Sequence, residues 1–112
     1  MQNLQIKQGM IKLTAYYKKK EGSHFNLEYY LNSHIPMIQR VTGGAIKLVT
    51  VDEGLSAGEP GSEPPYIYVG QFYFNSMSDL ENYLLPKLPE IMSDVPNYTD
   101  LHPVFQINKV LI

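Results

Sequence analysis

His34 is the side chain best placed for chemistry. It lies in the stretch Phe25-Asn26-Leu27-Glu28-Tyr29-Tyr30-Leu31-Asn32-Ser33-His34-Ile35-Pro36-Met37-Ile38-Gln39-Arg40. Leu27, Tyr30, Leu31, His34, Ile38 and Val41 recur there at steps of three and four, the apolar stripe of a helix. A histidine inside such a stripe faces the body of the fold. Its imidazole titrates nearest neutrality of all side chains, at about 6.5 when unperturbed, so it suits proton transfer. Tyr30 stands one turn earlier on the same face, within reach of His34 or of a shared substrate. Tyr98 follows Pro96-Asn97 in a segment without periodicity, where a side chain can be aimed at a cleft. His34, Tyr30 and Tyr98 are therefore the candidate catalytic residues. Tyr17, Tyr68, Phe72 and Asn97 are the candidate substrate-binding residues. Each has a plainer reading beside the functional one. A core histidine can simply bond a backbone carbonyl, and tyrosines on strands usually fill cores and interfaces.

Other chemistries lack their residues. The chain has no cysteine, which removes disulfides, thiolate metal sites and a cysteine nucleophile. His24 and His102 lie beside turns with no partner at metal-ligand spacing. A site joining His34 to Asp94 or Asp100 has no motif behind it, so no metal is expected. Gly43-Gly44 follows a helix rather than preceding one, the wrong end for a phosphate. No serine-centred elbow is present. No cofactor is called for. The formal net charge of -2 gives no basic field for nucleic acid or an anionic membrane. Lys18-Lys19-Lys20 is followed at once by Glu21 and reads as a solvated turn.

The elements that must position these residues follow in order. The chain of 112 residues suits one domain, with residues 1–9 as an N-terminal extension. Met10 to Lys18 alternates as a strand. Asn26 is a suitable N-cap for the helix. Pro36 lacks the N–H that would bond the Asn32 carbonyl, so a kink or boundary is expected there, and Gly43-Gly44 ends the helix. Ala45 to Asp52 is a second strand. Residues 53–65, rich in glycine, proline and serine, form a long loop. Tyr66 to Phe74 is a third strand, apolar or aromatic on both faces, hence central. Ser76 and Asp79 are spaced like a capping box. The helix they open runs to about Leu85 and restarts, after Pro86 and Pro89, through Ser93. Asp94 to Asp100 is irregular, and Pro103 to Leu111 is the last strand.

The order β-α-β-β-α-β predicts an α+β, ferredoxin-like fold: a four-stranded antiparallel sheet with both helices on one face. The bare face should then carry apolar residues and pack on a second copy, giving a homodimer. No internal repeat is visible in residue identity. The N-terminus lacks the apolar core of a signal peptide, and no apolar run approaches the ~20 residues of a membrane span, so cytoplasmic residence is expected.

Two segments resemble a known family. Tyr29-Tyr30-Leu31-Asn32-Ser33-His34-Ile35-Pro36 is similar to the Tyr-Tyr-x-x-x-His-x-Pro stretch of the EthD family, named for ethyl tert-butyl ether degradation. Asp94-Val95-Pro96-Asn97-Tyr98-Thr99-Asp100, with Pro103 and Phe105-Gln106-Ile107, resembles that family's C-terminal segment. The resemblance covers Met10 to Leu111 and implies a dimeric α+β barrel. The superfamily it points to includes muconolactone isomerases, cofactor-free monooxygenases, haem-binding members, and decarboxylases or cyclases of aromatic polyketides. Fold likeness does not choose among them. Pro86 and Pro89 depart from the pattern and would reshape one wall of a pocket.

The reading that follows is a cofactor-independent enzyme of small-molecule catabolism or secondary metabolism, acting on a small apolar cyclic or aromatic substrate. His34 would move a proton in an isomerase, decarboxylase, dehydratase or oxygenase reaction, with Tyr30 or Tyr98 orienting the substrate. The alternative is a non-catalytic small-molecule-binding or accessory protein of a degradation pathway. Haem ligation through His34 is the third option.

Overall fold

Two capped helices and four strands account for most of residues 6–112, which a computed structural model describes. Their order is β1 (Ile11–Tyr17), α1 (27–41), β2 (Ile46–Glu53), β3 (Tyr68–Phe74), α2 (77–94) and β4 (Val104–Lys109). The strands form one sheet in the order β2-β3-β1-β4, and every neighbouring pair is antiparallel. This is the expected ferredoxin-like βαββαβ fold. Of the expected extension, residues 1–5 lie outside the described residues. Its end is tied to the last strand: Gly9 N–H donates to the Val110 carbonyl (2.7 Å) and Val110 N–H to that of Met10 (2.8 Å).

The helices begin where the caps predict. The Asn26 side chain accepts from Tyr29 N–H, and the Ser76 side chain from Asp79 N–H. Neither helix breaks at its first proline. Each widens instead into a π turn just before it, Tyr30–His34 ahead of Pro36 and Leu80–Leu84 ahead of Pro86. Ile35 N–H reaches back to the Tyr30 carbonyl, and Leu85 N–H to that of Leu80. A proline ring crowds the carbonyl four residues back and offers it no N–H. A turn with bonds to the fifth residue back widens the helix where that ring must fit. The kink or boundary expected at Pro36 is thus a wide turn inside a helix that continues to Val41. In α2 the second proline adds a tight 3₁₀ turn, Leu85–Lys87, before the α segment Leu88–Asp94. The two helices correspond place for place, and His34 stands where α2 carries Leu84.

The wide turn also rewrites the apolar stripe. The extra residue it takes up leaves Tyr30, His34, Ile38 and Thr42 on the buried face, at steps of four. Leu31, expected in the stripe, turns outward and is 42% exposed. Tyr83 is displaced in the same way in α2, where Leu80, Leu84 and Ile91 are buried, with Val95 just beyond it.

Under the helices lie Ile11, Leu13, Ala15 and Tyr17 of β1, with Phe72 and Phe74 of β3. The outer face of the sheet is mixed rather than apolar. Leu48, Val69 and Tyr73 share it with a polar chain across the strands. Lys12 Nζ donates to Gln71 Oε1 (2.6 Å), and Gln71 Nε2 to Thr50 Oγ1 (3.2 Å) and Asp52 Oδ2 (3.1 Å). The polar residues are tolerated because each pairs with a neighbour on the next strand.

The long loop spans 54–67, so β3 starts at Tyr68 rather than Tyr66. Gly54 N–H closes the loop on the Ile67 carbonyl (2.8 Å). Position 54 requires glycine, since a Cβ there would run into the Tyr66 carbonyl. No helix among the described residues is long and apolar enough to cross a membrane.

Candidate functional site

The π turn of α1 and the C-terminal end of α2 bring the site together. Asp94, the last residue of the segment Leu88–Asp94, accepts three hydrogen bonds, all at 2.8 Å. His34 Nδ1 donates to its Oδ2. Tyr29 Oη and Asn97 Nδ2 donate to its Oδ1. Burial alone would raise the Asp94 carboxyl, but the bonds from His34, Asn97 and Tyr29 outweigh it and hold the group below its ordinary range. Asp94 is therefore an anion at neutral pH. The bond to Asp94 pushes the Tyr29 phenol up, so it remains a donor.

His34 is 2% exposed. Burial holds its imidazole below the ordinary value, against the opposing pull of the Asp94 bond and charge. The ring is thus neutral at pH 7. An ionised carboxylate only accepts, so the proton must sit on Nδ1 and the lone pair on Nε2. This fixes the tautomer in the arrangement that suits a general base, with the carboxylate ready to stabilise the imidazolium that would form.

Around the histidine lies an aromatic cluster. Tyr98 packs against His34 with centroids 4.6 Å apart, and the Tyr30 ring lies nearly parallel to it at 5.7 Å. Tyr17 and Tyr98 join their hydroxyls at 2.5 Å. Burial, the largest cause in each case, raises the phenols of Tyr17, Tyr30 and Tyr98 far above their ordinary value. All three stay protonated. The Tyr30 hydroxyl comes near Tyr17 yet makes no hydrogen bond among the described residues.

Residues 98–101 are latched to the start of α1. Asn26 N–H donates to the Tyr98 carbonyl (2.7 Å), Thr99 Oγ1 to the His24 carbonyl (2.6 Å), and Phe25 pairs with Thr99 as an isolated bridge. This latch holds Tyr98 against His34.

Between helices and sheet is a cavity of about 20 Å³, whose lining includes His34, Tyr30 and Tyr17. That is room for one water molecule. Leu13, Ala15 and Phe72 line it from the sheet, and Leu88, Ile91 and Met92 from α2. Phe105 of β4 lines it too and is 36% exposed, which places the mouth at the β4 edge.

The sequence candidates sort into groups. His34, Tyr30, Tyr17 and Phe72 meet at the cavity. Tyr98 supports the histidine from outside it, its hydroxyl engaged by Tyr17. Tyr68 packs against Phe25 with ring centroids 4.5 Å apart and Asn97 holds Asp94; neither lines the cavity. Asp94 entered the sequence reading as a conceivable metal partner of His34 and as part of the C-terminal family-like segment, and Tyr29 as part of the helical one, neither as a catalytic or binding residue. Their contact joins positions far apart in the chain, which no local spacing reveals. Among the described residues no group of three or more His, Asp or Glu side chains could hold a metal ion.

No protein-family model matches the chain, and no curated protein does. Solved structures do. An EthD-like protein from Ralstonia eutropha JMP134 is 34% identical, with a TM-score of 0.84 over 94% of this chain and 95% of that one. An EthD family protein from Bacillus halodurans C-125 is 17% identical, with a TM-score of 0.63 over 91% and 99%. A dimeric ferredoxin-like protein of unknown function from Thermobifida fusca YX is 13% identical, with a TM-score of 0.57 over 98% and 99%. At these identities the last two speak for the fold alone.

Proposed function

The chain belongs to the EthD family, and we propose that it is a cofactor-independent enzyme of small-molecule metabolism in which His34 moves a proton. The observation that carries this reading is the bond from His34 Nδ1 to Asp94 at the wall of an apolar cavity. A base poised near neutrality has to be neutral, oriented and sheltered from bulk water. His34 meets the three conditions through its burial and through Asp94. The apolar wall favours a small cyclic or aromatic substrate, and the reaction classes open to one base are isomerisation, decarboxylation, dehydration and cofactor-free oxygenation. Tyr30, which lines the cavity, is better placed than Tyr98 to contact the substrate.

The test is a screen of small ketones, phenols and carboxylic acids, read by proton NMR in D₂O for isotope exchange and product. General acid–base groups contribute roughly 10²–10⁴-fold, so His34→Ala should lose at least about 100-fold. A folded His34→Ala protein with unchanged turnover would sink the assignment.

The small size of the cavity supports a second reading, a non-catalytic binder that opens only for its ligand. Ligand-dependent thermal stabilisation without product or exchange would favour it. We also propose a homodimer formed through the outer sheet face, supported by Leu48, Val69 and Tyr73 there and by the dimeric state of the Thermobifida protein. Sedimentation of a monomer at micromolar concentration would refute the dimer.

A further inference from the structure

Asp94 stands at the wrong end of a helix for a carboxylate. It is the last residue of α2, where the unpaired carbonyls carry partial negative charge. Donors from His34, Tyr29 and Asn97 hold it there. Tyr29 immediately precedes the π turn of α1, and His34 closes that turn. On a regular helix of about 3.6 residues per turn these two positions point well apart. The wide turn brings them round to one side, so both reach the same carboxylate. The matching turn of α2 has Asp79 and Leu84 at these places. The prolines therefore account for both turns, and α1 puts its own to a second use. The donors are also divided unequally. Tyr29 Oη and Asn97 Nδ2 both donate to Oδ1 at 2.8 Å, which leaves Oδ2 to His34 Nδ1.

We infer that Tyr29 and Asn97 are positioning residues: through Oδ1 of Asp94 they set the direction and strength of its bond to His34, and so how tightly His34 holds a proton. The inference deepens, and rests on, the reading of His34 as the proton-transfer residue. Neither Tyr29 nor Asn97 lines the cavity, so each acts through Asp94 and not on a substrate. A carboxylate turns readily about its last torsion, and the Asp94 side chain is 19% exposed, so water competes for it. Two donors on one oxygen fix its plane. They also stabilise its charge, which weakens its hold on an imidazolium. The other titratable groups packed on the ring are Tyr30 of α1 and Tyr98 beyond α2, with Tyr17 of β1 across the cavity. All three are protonated phenols, so Asp94 is the charge that the ring feels directly. With Asp94 to itself the imidazole would bind its proton more tightly and return it more slowly. Sharing the carboxylate keeps His34 able both to take a proton and to give it back.

The test reads His34 directly. Long-range proton–nitrogen NMR spectra of the protein labelled at its histidine nitrogens follow the tautomer and the titration of each imidazole, and His34→Gln assigns its signals among the three histidines. Tyr29→Phe keeps the ring that lies 6.3 Å from that of Tyr98 and removes only the hydroxyl. Asn97→Ala removes the other donor at an exposed position, and serves if Tyr29→Phe does not fold. In each variant His34 should hold its proton about 2- to 10-fold more tightly, up to the worth of one neutral hydrogen bond, with the neutral ring still protonated on Nδ1. A plain cross-link between the helices would lower the urea midpoint and leave the titration where it is. An unchanged or weaker hold on the proton in the folded variants overturns the inference, as does a neutral ring protonated on Nε2. Turnover separates this inference from the one it rests on. With any substrate from the screen above, the acid limb of kcat/KM should move to higher pH in Tyr29→Phe, together with the titration. Unchanged turnover in His34→Ala would fell the base and leave the effect of Tyr29 and Asn97 on the imidazole standing. His34-dependent turnover with an unmoved titration would do the reverse.

Discussion

Replacing Gly70 by alanine probes how rigidly the tyrosine cluster is set. Gly70 lies mid-strand in β3, opposite Ala15 of β1 and Val51 of β2. An added Cβ would collide with the Tyr30 hydroxyl, while its next neighbours, Phe72 Cε1 at 3.5 Å and Tyr30 Cζ at 3.7 Å, are at ordinary contact distance. Only the oxygen stands in the way. The Tyr30 ring cannot swing aside, because Tyr98, Phe25, Tyr17 and His34 surround it with centroids 5.1, 5.2, 5.6 and 5.7 Å away. Overpacking costs about 1–3 kcal/mol, and losing a mid-strand glycine returns about 0.5–1 kcal/mol. Gly70→Ala should therefore destabilise by about 1–2 kcal/mol. In a Tyr30→Phe background the obstacle is gone, and the same substitution should be neutral or stabilising by about 0.5–1 kcal/mol. The coupling between the two sites is then about 2 kcal/mol, well above the ~0.3–0.5 kcal/mol scatter of independent sites. Urea unfolding of the four proteins measures it. Equal destabilisation in both backgrounds would refute the packing argument.

Two further outcomes concern the dyad. Asp94→Ala leaves the buried His34 Nδ1–H without an acceptor and should cost about 2–4 kcal/mol in urea unfolding, with Asp94→Asn milder because its amide oxygen still accepts. In the Asp94→Ala protein the His34 imidazole should titrate lower still, by NMR of its ring protons, since the Asp94 bond and charge are what raise it; an unchanged titration would contradict the dyad. Acid should destabilise the fold in two stages, because both groups have folded-state values below their ordinary ones of 6.5 for His34 and 3.8 for Asp94. The unfolded chain then takes up each proton first, so stability falls as pH drops below the ordinary value of His34 and again below that of Asp94. His34→Gln should flatten the first stage in pH-dependent urea midpoints.

Element types and order follow from local chemistry, so they are legible in the sequence. Alternation in Ile11–Tyr17, the caps Asn26 and Ser76, and the aromatic run of β3 each state a local preference that the tertiary structure keeps. The ferredoxin-like topology then follows from the βαββαβ order and the short list of connections a sheet allows. His34 and Tyr30 were also legible, as polar tips in an apolar stripe. What the tertiary structure decided lies in long-range and sub-turn geometry. Pro36 and Pro86 announce only that two carbonyls lose their donors. That each helix answers with a wide turn, turning Leu31 and Tyr83 outward, depends on having a sheet to pack against. Asp94 and Tyr29 are separated by 65 residues, so no periodicity links them. Their meeting at His34, the Tyr30 hydroxyl packed over Gly70, and the small cavity beside them exist only once both helices lie on the same sheet face. The sequence therefore determined the fold and the histidine. The packing determined its partner, its protonation state and the space it faces, because those depend on distances between residues that the chain itself does not bring close.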